Sequence, residues 1–108
     1  IVDIRINSPT FMNVFSAELN QDSNVFLYIP PGLAHGFYVK SDETLISYKC
    51  SNYYDPDDEY GLHWKDQDLN IPWPFEVNKT DLLISSKDKN FSRLKNINSD
   101  YLPVYAKK

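Results

Sequence analysis

The chain has 108 residues, a formal net charge of −4 and 42% hydrophobic residues, so it is expected to hold a single soluble domain with one modest core. An acidic balance with no basic stripe argues against a nucleic-acid or anionic-membrane surface, and no apolar run is long enough to span a bilayer. The single Cys50 cannot form an intrachain disulfide, and with no signal peptide in view a reducing cytoplasm is expected.

Val2, Ile4 and Ile6 alternate with Asp3 and Arg5, which predicts a strand over residues 1–6. Because that pattern is already running at residue 1, the chain is expected to be the later part of a longer domain. Asn7 to Thr10 reads as a turn, Phe11 to Leu19 as a second strand and Val25 to Ile29 as a third, stopped by Pro30-Pro31-Gly32. Phe37 to Val39 and Leu45 to Cys50 complete the apolar runs of the first half. Asn52 to Gly61 reads as a polar, aromatic loop and Leu62 to Trp64 as a short strand. Ile71-Pro72-Trp73-Pro74 is excluded from helix and central strand because its prolines lack backbone donors. Ser85 or Ser86 is placed to cap a short helix through about Leu94, and the tail from Tyr101 to Lys108 carries no clear pattern. Short strands separated by turn signals predict an all-β sandwich or barrel with a short C-terminal helix.

Three stretches hold candidate chemistry. His35 sits between Ala34 and Gly36, small neighbours that would let a ligand approach; an incidental turn histidine is the competing reading. Tyr48 lies in a strand, where tyrosine is ordinarily a half-buried core residue, whereas adjacent Tyr53 and Tyr54 fall in a loop, where rings suit base stacking. The acidic run Asp55, Asp57, Asp58 and Glu59 reads as a solvated loop and lacks the pattern of a calcium loop. Ser85-Ser86-Lys87-Asp88 by itself marks a helix start. No metal is expected, since His35 and His63 lack ligand spacing, and no nucleophile elbow surrounds Cys50.

Taken in order, these segments resemble the dTDP-4-dehydrorhamnose 3,5-epimerase family. The resemblance is carried by Val2-Asp3-Ile4-Arg5 and Ser8-Pro9-Thr10-Phe11, then by Ile29-Pro30 through Ala34-His35-Gly36-Phe37. It continues through Tyr48-Lys49-Cys50, Asn52-Tyr53-Tyr54, Pro56, Glu59-Tyr60-Gly61, Trp64, Ile71, Trp73-Pro74 and Ser86-Lys87-Asp88. It spans residue 1 to about residue 90 and leaves Asn96 to Lys108 unmatched. The resemblance implies a cupin-like jelly roll, here incomplete, and a homodimer. The substrate would be a nucleoside-diphosphate 4-keto-6-deoxyhexose, epimerised at C3 and C5 with no cofactor.

By position, Tyr48 corresponds to the family's proton donor and His35 to a histidine contacting the ligand. Tyr54 corresponds to the tyrosine stacked on the base, Glu59 and Lys87 to substrate-binding positions, and Asp88 to the carboxylate that orients the catalytic histidine. In the family that histidine lies in an R-G-L-H-type segment upstream of the Val2-Asp3 strand, so neither His35 nor His63 corresponds to it. These 108 residues alone are therefore expected to be inactive. A non-catalytic sugar-nucleotide or carbohydrate-binding module is the alternative expectation.

Overall fold

The alternation at the start of the chain forms strand β1, but only over Val2–Asp3. In the computed structural model, which describes residues 1–41, 44–47, 61–74 and 82–106, β1 has neighbours on both edges. On one edge lies β2, Leu33–Ala34, antiparallel, with Val2 opposite Ala34 and Asp3 opposite Leu33. On the other edge Met12 N donates to Asp3 O at 2.8 Å, Asp3 N to Asn13 O at 3.1 Å and Phe15 N to Ile1 O at 2.9 Å. Val2 and Val14 make an antiparallel bridge there.

The predicted strand over residues 1–6 ends early for a local reason. The Asp3 carboxylate accepts from Arg5 N at 3.0 Å, which takes that donor out of any ladder. The predicted turn is present and runs on to Met12, with Asn7 and Met12 both at positive φ (67° and 69°). Ile6 rejoins regular pairing with a different partner, the C-terminal tail: Ile6 N donates to Pro103 O at 2.7 Å and Tyr105 N to Ile6 O at 2.9 Å. The resulting Ile6–Val104 bridge is parallel, and it gives the tail a defined seat.

The second half is organised by one short helix, α1, Ser86–Asn90. Its N-cap is Ser85, whose side chain accepts from Asp88 N at 3.1 Å. The helix stops at Asn90 rather than continuing to Leu94 because Phe91 turns extended (ψ 147°). The next residues are claimed by the 61–66 segment: His63 N donates to Ser92 O at 3.0 Å, and Leu94 N is bound by Asp66. Short 3-10 helices follow at Leu94–Asn96 and Ser99–Tyr101. The strand expected at Leu62 to Trp64 does not form: Leu62 and His63 carry no regular structure and lead into a turn at Trp64.

Val2, Leu69 and Leu94 are the buried centre of the core, with Ile4, Met12, Val14, Ala34, Leu62, Ile71 and Leu102 packed around them. The core thus joins β1 and β2 to the 62–71 segment and to the residues after α1. The described parts of the other predicted strands, residues 16–19, 25–29, 37–39 and 45–47, form no ladder, and Phe26 and Leu45 are 98% and 97% exposed. The described residues are mostly non-helical, with a small antiparallel sheet and one short helix, which is compatible with an all-β class.

Candidate functional site

His35 leaves the end of β2 directly, so the register of β2 against β1 fixes where it emerges. The turn that opens β2 is held from below. Gly32 has φ +91°, and a Cβ there would lie 2.8 Å from Arg5 Cγ and 2.9 Å from Arg5 Cδ. The Arg5 stem therefore packs on the backbone that leads to His35, a close approach that only glycine permits.

Arg5 is itself fixed by Asp3. Its Nε donates to Asp3 Oδ1 at 3.0 Å and its Nη2 to Oδ2 at 2.9 Å, a two-pronged pairing. Ser8 and Thr10 hydroxyls also donate to Asp3 Oδ2, each at 2.5 Å. The Arg5 side-chain donors, more than any other cause, hold the buried Asp3 carboxyl well below the usual carboxylate range, against the opposing effect of burial. The Arg5 guanidinium lies 5.0 Å from the centre of the Tyr105 ring, so the same pair reaches the tail. This cluster is a clasp. The signal for it was a carboxylate followed at two, five and seven residues by Arg5, Ser8 and Thr10, donors that can fold back onto it.

Beyond His35, Gly36 faces the indole of Trp73: a Cβ at Gly36 would sit 3.9 Å from Trp73 Cη2. At its other end that indole is pinned, Nε1 donating to Trp64 O at 2.8 Å. Trp64, Lys65, Asp66, Gln67, Asn70, Ile71 and Trp73 line a cleft of about 280 Å³. Lys65 Nζ lies 5.3 Å from the centre of the Trp64 ring.

Lys87 and Asp88 share the exposed first turn of α1. Asp66 ties the segment that follows them to the cleft. Its residue is only 2% exposed, and its carboxylate accepts from Leu94 N at 2.7 Å and Asp68 N at 3.0 Å. Arg93 adds ion pairs, Nε to Asp66 at 3.8 Å and Nη2 to Asp68 at 3.6 Å. The Phe91 ring occupies the space a Gly61 side chain would take. Asp66 was not singled out from sequence, and Trp73 entered there only as part of a proline-bounded segment and of the resemblance, with no role of its own; an aspartate two residues after a tryptophan was the available signal for Asp66.

Tyr48, Tyr54 and Glu59 lie outside the described residues. Of the expected site, the structure therefore places His35 at the end of β2, and Lys87 and Asp88 together on α1. Among the described residues, no group of three His, Cys, Asp or Glu side chains is arranged to hold a metal ion. Among them, too, no helix is long and apolar enough to cross a membrane.

The family model described as dTDP-4-dehydrorhamnose 3,5-epimerase matches residues 1–96. This chain belongs to that family. It is similar to the dTDP-4-dehydrorhamnose 3,5-epimerase of Methanothermobacter thermautotrophicus, 41% identical over 94 residues, covering 87% of this chain and 50% of the relative. The enzyme of that name from Shigella flexneri is 40% identical over 100 residues, covering 93% of this chain and 52% of its own. A dTDP-4-dehydrorhamnose 3-epimerase of Streptomyces niveus is 35% identical over 107 residues, covering 98% of this chain and 50% of the relative. The chain spans about half the length of the curated relatives it matches. The tail, which the resemblance left unmatched, falls within the Streptomyces niveus alignment. No solved structure matches the chain.

Proposed function

We propose that the protein containing this chain epimerises a nucleoside-diphosphate 4-keto-6-deoxyhexose at C3 and C5, in the cytoplasm and as a homodimer. The observation that carries this is the family match over residues 1–96, which includes every candidate site residue. We assign residues 1–108 to a single domain, part of a cupin-like jelly roll. Exposed Phe26, Tyr28, Phe37 and Leu45 are the apolar faces that further strands of such a roll would cover.

The chemistry follows from the substrate's ketone. A base removes the proton on the carbon next to the carbonyl, the electron pair moves onto the carbonyl oxygen as an enolate, and an acid returns a proton on the opposite face. Because the substrate's carbonyl takes up the electron pair, the scheme calls for no cofactor. Tyr48 is the acid. The base is a histidine oriented by Asp88. His35 contacts the sugar or its phosphates, Tyr54 stacks on the base, and Glu59 and Lys87 bind substrate. The two-residue strand β2 carries His35 out of a turn whose geometry is set by Gly32 and Arg5, so a ligand contact there would be held at a fixed position.

In the full-length protein, Tyr48→Phe is expected to lower turnover by at least about a hundredfold while leaving nucleotide binding nearly intact. Wild-type turnover in that variant would remove Tyr48 as the acid. A single-site reading, epimerisation at C3 alone, is favoured by the similarity to the Streptomyces niveus 3-epimerase over 98% of this chain. Turnover in deuterated water separates the two: deuterium at both C3 and C5 supports the double epimerase, and deuterium at C3 alone the single-site one.

A further inference from the structure

Helix α1 carries Lys87 and Asp88 yet buries none of its five residues, so burial of its own side chains does not seat it. Its place is set by the chain that leaves it. The Phe91 ring fills the space at Gly61, and His63 N donates to Ser92 O at 3.0 Å. Arg93 Nη2 lies 3.6 Å from Asp68 Oδ2, and Leu94 N donates to Asp66 Oδ2 at 2.7 Å. Each residue from Phe91 to Leu94 thus meets the 61–68 segment, and Leu94 is also buried in the core.

Asp66 is the centre of these ties. Its carboxylate is withdrawn from water, which is costly unless donors replace the lost hydration. Oδ2 takes Leu94 N, Oδ1 takes Asp68 N at 3.0 Å, and Arg93 Nε lies 3.8 Å from Oδ1. Two of these partners, Arg93 and Leu94, belong to the chain after α1, so the buried charge is compensated only when that chain stands here. The loop around Asp66 is fixed in turn: Asp66 N donates to His63 O at 3.1 Å, Asn70 N to Asp66 O at 3.3 Å, and Leu69 is buried in the core. Within α1, Lys89 N donates to Ser85 O at 3.1 Å and Ser85 caps Asp88 N, so Lys87 and Asp88 move with the helix. Asp88 stands within one turn of Phe91, where the ties begin.

We propose that Asp66 is a positioning residue for the epimerase site: by binding Leu94 N and Arg93 it fixes the exit of α1, and so places Asp88 against the histidine it orients and Lys87 against the substrate. This rests on the reading of Lys87 and Asp88 as site residues. Asp66 itself takes no proton and touches no substrate; it acts through the helix.

The test uses the full-length protein with Asp66→Ala, Asp88→Asn and Lys87→Met, singly and with Asp66→Ala combined with each of the others. Activity is assayed per folded molecule at low temperature with the nucleoside-diphosphate keto-sugar. Asp66→Ala is expected to lower kcat roughly tenfold and to raise KM roughly threefold, since small misplacements of catalytic groups are costly. The kcat loss should vanish in the Asp88→Asn background and the KM rise in the Lys87→Met background, each persisting in the other background. A variant that merely loosened the fold would keep both losses in both. In the NMR spectrum of Asp66→Ala the Lys87 and Asp88 amide resonances are expected to move, although these residues lie in a different segment. If Asp66→Ala does not fold, Asp66→Asn carries the same comparison with smaller effects, because it keeps one acceptor oxygen. Wild-type kcat and KM in the Asp66 variant, or either loss persisting in full in its own background, would overturn the inference. Wild-type kinetics in both Asp88→Asn and Lys87→Met would overturn the reading of α1 as part of the site and the inference together. In that case, moved Lys87 and Asp88 amides would show the placement of α1 right and its use wrong, whereas unmoved amides would show that Asp66 does not place the helix.

Discussion

Asp3 concentrates more polar bonding than any candidate catalytic residue among the described ones, and it does so as a buried anion. Arg5, Ser8 and Thr10 all donate to its carboxylate, so folding makes Asp3 a stronger acid than it is in the open chain. Its ionised form therefore contributes stability that is fully present above the unfolded carboxylate's pKa of about 4 and is lost as pH falls below it. Asp3→Asn is expected to lower stability by about 2 kcal/mol at neutral pH and to flatten the acid dependence below pH about 4. Urea midpoints of the wild type and variant at neutral and acidic pH check both; parallel curves would show that Asp3 is not the titrating group. Gly32→Ala should also be disruptive, because the new methyl would collide with the Arg5 stem at a positive φ, whereas Gly36→Ala meets only ordinary contact. A thermal melt of each variant tests that contrast. The importance of Asp3 was only partly legible in the sequence. The order of Asp3, Arg5, Ser8 and Thr10 was visible, but that all of them converge on one carboxylate depends on a turn with positive φ at Asn7 and Met12. Single-residue preferences do not specify such a turn, and for methionine they oppose it.

Among the elements, α1 shows what local signals specify and where they give way. Ser85 as N-cap was readable, because a serine at the start of a short polar run can accept from the backbone donor three residues on, here Asp88 N. The end of the helix was not, because Lys89 to Lys95 contains no glycine or proline that would stop it. What stops it is tertiary: Phe91 fills the space at Gly61, Ser92 O is bound by His63 N, and Asp66 reaches across the chain to Leu94 N. A helix continued through those residues would forfeit all of these. Asp66→Ala leaves Leu94 N without its acceptor and Arg93 without its buried counter-charge, so it is expected to destabilise the protein by about 3 kcal/mol. Hydrogen exchange at the Leu94 amide, faster in the variant than the global unfolding limit, would locate the loss; unchanged exchange there would disprove the tie from Asp66 to Leu94 N. Ser85→Ala removes only an exposed cap and should cost about 1 kcal/mol, confined to α1. The strands follow the same logic. Alternation identified the segment holding β1, but the length of its ladder was decided by Asp3 taking the Arg5 donor.

At the scale of the whole molecule, the sequence pattern and the observed pairing diverge most at the two ends of the chain. The predicted strands from Phe11 to Leu19 and Val25 to Ile29 are apolar enough to pair, yet beyond Phe15 their described residues form no ladder and leave Phe26 and Tyr28 exposed. The tail, with no readable pattern, is the segment that does pair. A parallel bridge needs no alternation when a single backbone position provides both a donor and an acceptor, as Ile6 does to Pro103 and Tyr105. Around that bridge Leu102 packs against the core and Tyr105 lies under the Arg5 guanidinium. The tail therefore closes an edge of the N-terminal segment and shields the Asp3–Arg5 clasp, while standing beyond residues 1–96 that the family model matches. Its role should be separable from the chemistry. Removing residues 101–108 from the full-length protein is expected to expose the Ile6 amide to rapid exchange and to lower stability by about 1–2 kcal/mol, from the lost bonds and the lost cation–ring contact. Turnover per folded molecule at low temperature should stay within about twofold of wild type, since no residue placed in contact with substrate lies in the tail. Loss of turnover with the melting midpoint unchanged would mean that the tail belongs to the site. Unchanged exchange at Ile6 would mean that the parallel bridge does not close that edge.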